Sequence, residues 1–301
     1  MSRCPDARRC YGAARERTVR LELLGVRGST AAPGPDYVAY GGHTSCVAVT
    51  AHGASNPTLV LDAGTGLRTL TSRLDGGAFD GAIVLSHLHW DHVQGLPFFS
   101  AGDRDDARVD LYLPAQDDRS GRDLLAQTLS PPAFPITPEG LRGRWGFHAL
   151  GDGGHRIEGF DVTTVDIAHK GGRTFGVRVE DPLGSVAYLP DHAPAAGTSA
   201  ELMRLLDGVD VLMHDAQFLE GERPLAVDYG HATVQDAVAL GTECGAGTVV
   251  LFHHSPVRSD AALDDIAAWA PGLSDDVRVV VAREGDVLEV RRAPEPSRTG
   301  A

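Results

Sequence analysis

Ser86 to His92 reads SHLHWDH, three histidines and an aspartate within six positions, directly after the apolar run Ala82-Ile83-Val84-Leu85. Imidazole and carboxylate together are ligands for first-row divalent metals. In extended chain, residues two apart point the same way, so His87 and His89 can grip one ion. Asp91 and His92 follow a change of direction and can face a second. Two ions need further ligands, and later apolar segments end in suitable residues. His169 closes TVDIA, Asp191 closes VAYLP and His253 closes TVVLF. A carboxylate such as Asp191 can bridge two cations. His254 is adjacent to His253 and faces the opposite side, so one of the pair is a ligand and the other a neighbour. As a set, these residues give each ion about three ligands and leave positions open for water, the mark of a catalytic site.

Ligands of this kind need strands that end at one edge. Val19, Leu21 and Leu23 alternate with Arg20 and Glu22, which predicts a half-buried strand. CVAVTA, TLVLDAG and AIVL are the next strands, and GLRTLTSRL is a short helix with Leu67, Leu70 and Leu74 on one face. FDVTTVDIAH, FGVRVED, SVAYLPD, VDVLMHDA and TVVLFHH follow as strands. Between the last two, TVQDAVALGTECG reads as a helix with Thr233 as N-cap, Asp236 in the capping-box position and Gly245 beyond its end. VRVVVAREGDVLEV reads as a hairpin around EGD. Residues 118–150, rich in proline, arginine and aromatics without a clean period, read as a substrate-side flap. Residues 1–17 read as a mobile leader, 18–292 as one domain and 293–301 as a mobile tail. Apolar strands ending repeatedly in Asp or His follow the α/β habit of placing function at strand C-terminal ends.

The chain has 301 residues, 42% of them hydrophobic, which is enough for a sizeable core. Its net charge of −14 argues against nucleic acid as a partner and leaves room for a small anionic substrate, because bound metal supplies positive charge. Of four cysteines, Cys46 and Cys244 sit in apolar contexts as buried thiols, and Cys4 and Cys10 lie in the leader. No apolar leader segment and no run of about 18 apolar residues occurs, so the expectation is a cytoplasmic protein without a membrane span. No G-x-S-x-G elbow and no G-x-x-x-x-G-K phosphate loop is present, which sets aside serine hydrolases and P-loop enzymes.

The H-x-H-x-D-H motif of His87, His89, Asp91 and His92, with His169, Asp191 and His253 downstream, resembles the metallo-β-lactamase superfamily of hydrolases. The resemblance runs from about Val19 to Val290. It implies an α/β fold, an αββα sandwich with two metal ions at one edge. His87, His89 and His169 would hold one ion and Asp91, His92 and His253 the other, with Asp191 between them. Asp62 in LDAG matches a buried aspartate that steadies the ligand loop. HDAQF and GHATVQDAVALGTECGAGTVVLFHHSP are similar to the tail of ribonuclease Z and its phosphodiesterase relatives, where an acidic residue and a histidine assist proton transfer. Here these are Asp215 and His231. His231 stands before a helix N-terminus, which makes imidazole less basic, and a nearby Asp215 would oppose that. The long arm with which ribonuclease Z holds tRNA is absent, since only 191 − 169 − 1 = 21 residues separate His169 from Asp191.

The function implied is hydrolysis of a small phosphodiester by metal-bound hydroxide, with Asp91, His231 and Asp215 as catalytic residues. Arg142 and Arg144 of the flap read first as solvated surface residues and only second as groups that would meet substrate charge. Zinc suits the ligands, and manganese or iron fits too. Lactone or thioester hydrolysis on the same metal core is one alternative and a non-catalytic metal-bearing sensor another. Oligomeric state is open, with homodimers common in the branch that the chain resembles.

Overall fold

Alternating and continuous apolar runs build two seven-stranded sheets. The computed structural model describes residues 18–116 and 118–292; the leader and tail, and with them Cys4 and Cys10, lie outside the described residues. The first half of the chain gives β1 (Val19–Gly25), β2 (Cys46–Thr50), β3 (Leu59–Leu61), α1 (Leu67–Arg73), β4 (Asp80–Val84), α2 (Trp90–Val93), β5 (Arg108–Pro114), α3 (Gly121–Leu125) and β6 (Arg144–Leu150). The second half gives β7 (Gly153–Ile157), β8 (Phe160–Ile167), β9 (Thr174–Asp181), β10 (Gly184–Leu189), α4 (Ala200–Leu206), β11 (Val211–Asp215), α5 (Arg223–Tyr229), α6 (Val234–Glu243), β12 (Thr248–Phe252), α7 (Asp260–Trp269), β13 (Arg278–Val281) and β14 (Val287–Val290). Strand order is β14-β1-β2-β3-β4-β5-β6 in one sheet and β13-β12-β11-β10-β9-β8-β7 in the other.

Central strands are buried on both faces, which explains their unbroken apolar runs. Leu21, Leu23, Val47, Leu61 and Val84 of one sheet meet Val177, Tyr188, Met213, Val250 and Phe252 of the other in the middle core. The outer face of the first sheet packs Val60 and Ile83 against Leu67 and Leu70 of α1. That of the second packs Leu189, Leu212 and Leu251 against α4, α6 and α7 through Leu205, Val238, Leu263 and Ile266. The layers run helix, sheet, sheet, helix: the αββα sandwich. Parallel pairs β3–β4, β10–β11 and β11–β12 send their C-terminal ends to one edge, where the ligand candidates begin.

Two expectations change. The final segment is not a hairpin, because β13 pairs with β12 and β14 pairs with β1, in different sheets. The Asp286 N–H closes a turn onto the Arg283 carbonyl, while the N–H groups of Glu284 and Gly285 donate to the carbonyls of Tyr40 and Leu23, and the chain passes from one sheet to the other. Within 118–150, Arg144–Leu150 is a strand paired in parallel with β5, and Leu125, Leu129 and Leu141 are buried in the outer core of the first sheet. Arginines and prolines hid an apolar footing that is spread over three separate turns. The α6 reading holds in detail. Thr233 Oγ1 accepts from the Asp236 N–H, and the Asp236 carboxylate accepts from the Thr233 N–H. Replacing Thr233 with alanine should cost about 1 kcal/mol of stability, read as a lowered denaturant midpoint with an unchanged slope.

Candidate metal centre

β4 delivers Ser86 and His87 in extended chain, and α2 then turns the backbone so that Asp91 and His92 face a different point. His87, His89, His169 and Asp191 place ligand atoms within 4.8 Å of one another, as do Asp91, His92 and His253. Asp191 stands between the groups. Its Oδ1 lies 3.6 Å from His169 Nε2 and 4.0 Å from His87 Nε2, while its Oδ2 lies 3.0 Å from His92 Nε2 and 3.3 Å from His253 Nε2. All seven residues that the sequence singled out as ligands thus converge.

Hydrogen bonds orient the imidazoles. His92 Nδ1 donates to Asp62 Oδ2 at 2.7 Å, and His169 Nδ1 donates to the Gly230 carbonyl at 2.7 Å. His87 Nδ1 lies 3.0 Å from Ser86 Oγ, which itself donates to Asp62 Oδ2. Each ring therefore keeps its Nε2 lone pair for the cluster, the arrangement of metal-bound histidines. Asp62, fully buried and at φ 58°, also accepts from the Ser86 N–H and from the Tyr188 hydroxyl at 2.9 Å. Tyr188 sits in β10 and packs edge-on against Phe252, the residue before His253.

His253 and His254 separate cleanly. His253 adopts φ 56° and sends Nε2 to within 3.3 Å of His92 Nε2 and 3.2 Å of Asp91 Oδ2. His254 points away and meets the Ala282 carbonyl, and burial lowers its pKa to about 3. The 27–29 loop closes over His253. A Cβ on Gly28 would fall 2.3 Å from the His253 ring, and the Ser29 N–H donates to Asp91 Oδ2 at 2.7 Å. Arg27, fully buried, holds that loop by donating to the carbonyls of Gly41 and Arg258.

Electrostatics match a cation site. Burial, with His92 nearby, keeps His87 well below the ordinary imidazole range and so neutral, the ligating form. Burial opposes the charge on Asp191, but His253, His92 and His87 hold its carboxyl well below the usual range. Burial also opposes charge on His92, yet Asp91, Asp191 and Asp62 raise its basicity well above normal; the cluster attracts a cation at this point. His87 Nε2 is buried with no hydrogen-bond partner among the described residues. Ligand atoms around a tetrahedral zinc sit about 3.3 Å apart, as bond lengths of about 2.0–2.1 Å require. The His92, His253 and Asp91 separations of 3.2–3.3 Å fit.

Beyond the ligands, Asp215 at the end of β11 accepts from His231 Nδ1 at 2.8 Å and from the His192 and Ala232 N–H groups. Burial disfavours the His231 imidazolium, but the Asp215 carboxylate outweighs it and the pKa rises to about 9. His231, His89, His169, Lys170 and Gln217 line one cavity of about 420 Å³. Arg142 and Arg144 do not line it, and Arg142 is occupied by Asp103. Arg27, Ser29, Ser86 and Tyr188 escaped the sequence reading; only the arginine-glycine start of the first loop hinted at a tight approach.

A four-layer αββα sandwich with H-x-H-x-D-H at one sheet edge defines the metallo-β-lactamase class of hydrolases. Residues 58–254 match the beta-lactamase superfamily domain, and the chain belongs to that superfamily as a hydrolase. Ribonuclease Z of Exiguobacterium sp. is 40% identical over 70 residues, 23% of this chain and 22% of that protein. Ribonuclease Z of Limosilactobacillus fermentum is 26% identical over 69% of this chain and 80% of that one. An uncharacterized protein of Mycobacterium tuberculosis is 29% identical over 97% of this chain and 100% of its own length. Among solved structures, a diphosphatase from the PhnP family superposes with a TM-score of 0.68 at 21% identity, over 92% of this chain and 100% of that one. Among the described residues, no helix is long and apolar enough to cross a membrane.

Replacing Tyr188 with phenylalanine removes one donor from Asp62 without changing the packing volume. Zinc affinity, measured by chelator competition, should fall about tenfold while circular dichroism stays unchanged. Unaltered affinity would show that the Tyr188 bond does not steady the ligands.

Proposed function

We propose that the protein hydrolyses a phosphodiester bond in a small anionic substrate. The observation that carries this reading is the division of Asp191, one oxygen toward each ligand group, beside the His231–Asp215 pair. His87, His89 and His169 would hold one divalent ion and Asp91, His92 and His253 the other, with Asp191 shared. Zinc is our choice of metal. Such a pair supplies Lewis acidity and a water acidified to a pKa of about 7. The chain supplies the rest. Asp215 fixes the His231 ring by its Nδ1 and favours its protonated form. Proton delivery from that ring to the leaving oxygen is the role this geometry supports. The Ser29 N–H donates to Asp91 Oδ2, the same oxygen that stands 3.2 Å from the His92 and His253 Nε2 atoms, and so fixes it toward the centre.

Ribonucleases Z among the relatives remove the ground on which net charge had set nucleic acid aside. The site itself favours a small ester. Of the 21 residues between His169 and Asp191, β9 takes 8 and β10 takes 6, which leaves only short turns, and the cavity holds about 420 Å³. A second reading, hydrolysis of an ester or lactone with an apolar tail, draws on one observation. A cavity of about 230 Å³ lined by Trp90, Leu96, Phe98, Leu129 and Phe134 lies against the ligand turn.

Zinc- or manganese-loaded protein should hydrolyse bis(p-nitrophenyl) phosphate, and His87→Ala should lose more than the roughly 10–100-fold typical of an outer partner. No turnover by metal-saturated protein would put lactones and thioesters first. The pH profile tests the acid. His231 carries its proton below about 9, so activity should fall as pH rises through that value. Asp215→Asn removes the carboxylate that raises the pKa while burial remains, so the alkaline limb of kcat should move about one to three pH units lower. A limb that stays in place rules out His231 as the proton donor.

A further inference from the structure

The mouth of the cavity carries a feature that bond cleavage does not use. Phe218 and Tyr229 lie with their ring planes 3° apart and centroids 6.4 Å apart, and Phe218 stands 6.0 Å from the His231 ring. Both rings line the cavity that His89, His169 and His231 share. Tyr229 is 55% exposed, and its hydroxyl has no hydrogen-bond partner among the described residues. A large ring open to water at the edge of this cavity offers its π-face to a ligand.

The ring is also held in place. Gly230, at φ 77°, ends α5 and connects Tyr229 to His231. Its carbonyl accepts from His169 Nδ1, and a Cβ there would lie 3.0 Å from Lys170. Lys170 Nζ in turn donates to the Asp228 carbonyl at 2.7 Å. Residues 228–231 are thus stitched to residues 169–170, and Tyr229 keeps a fixed offset from both the acid and a ligand.

We propose that Tyr229, backed by Phe218, is a stacking platform that selects phosphodiesters bearing a planar aromatic group on the side that His231 serves. The proposal rests on the phosphodiester reading and adds the chemistry of the organic group. A flat π-face stacks on tyrosine and a saturated ring of equal size does not.

The test uses metal-loaded protein turning over bis(p-nitrophenyl) phosphate, with phenyl methyl phosphate and cyclohexyl methyl phosphate as competitors of equal charge and similar size. The phenyl ester should compete about two- to tenfold more tightly than the cyclohexyl ester in the wild type. That ratio should collapse toward one in Tyr229→Leu and survive in Tyr229→Phe. A purely structural role for Tyr229 would weaken both competitors together and leave the ratio intact. Equal competition in the wild type, or a ratio that persists in Tyr229→Leu, overturns the platform while leaving phosphodiester hydrolysis standing. No turnover of bis(p-nitrophenyl) phosphate overturns the phosphodiester reading itself, and the platform falls with it.

Discussion

The site depends on one buried carboxylate. Asp62 is closed off from water and sits in the left-handed backbone region, a conformation that costs about 1–3 kcal/mol for a residue with a side chain. A lone buried charge is expensive unless hydrogen bonds surround it. Here the Ser86 backbone and hydroxyl, His92 and Tyr188 all donate to it. Three of these donations come from the segment after β4 and one from β10, so the same carboxylate joins the two sheets. Through Ser86 it reaches His87, and through His92 the second ligand group. The strain at Asp62 is therefore held by bonds that fix the direction of both sets of lone pairs.

That dependence explains why the sheets must end together. His87, Asp191 and His253 follow β4, β10 and β12, strands of two different sheets. Their convergence is set by a core in which Tyr188 and Phe252 pack edge-on. A slip in either sheet's register would separate the ligand groups, since every side chain would change face. Burial on both faces makes such a slip costly.

Much of this was legible in the chain because ligand spacing and apolar strands are local signals. H-x-H-x-D-H after an apolar run, strand-end His and Asp, and the Thr233–Asp236 box all span a few residues. Other features were not local. The choice between His253 and His254 turned on a backbone angle of 56° and on the Ala282 carbonyl that takes up His254. The Arg27 clamp joins residues more than 200 positions apart. β13 and β14 resembled a hairpin, since alternation does not say which sheet a strand enters. The mouth is assembled from the ends of β8, β11 and α5 together with Ser29 and His89 from the first half of the chain, segments that span about 200 positions.

The His231 environment shows how two electrostatic rules are ranked. A helix N-terminus disfavours a nearby imidazolium by a fraction of a charge, screened and short in range. A buried carboxylate in direct hydrogen-bond contact is a full charge with little water between. At 2.8 Å, Asp215 wins and the imidazolium is favoured. Asp215 does not meet that histidine alone. Its oxygens also take the N–H groups of His192, Gln217 and Ala232, so it stays in place when the proton leaves. The His192 bond ties Asp215 to the residue after Asp191, and the Ala232 bond ties it to the turn that opens α6. His231 and the segment that carries Asp191 are thus positioned by a single carboxylate.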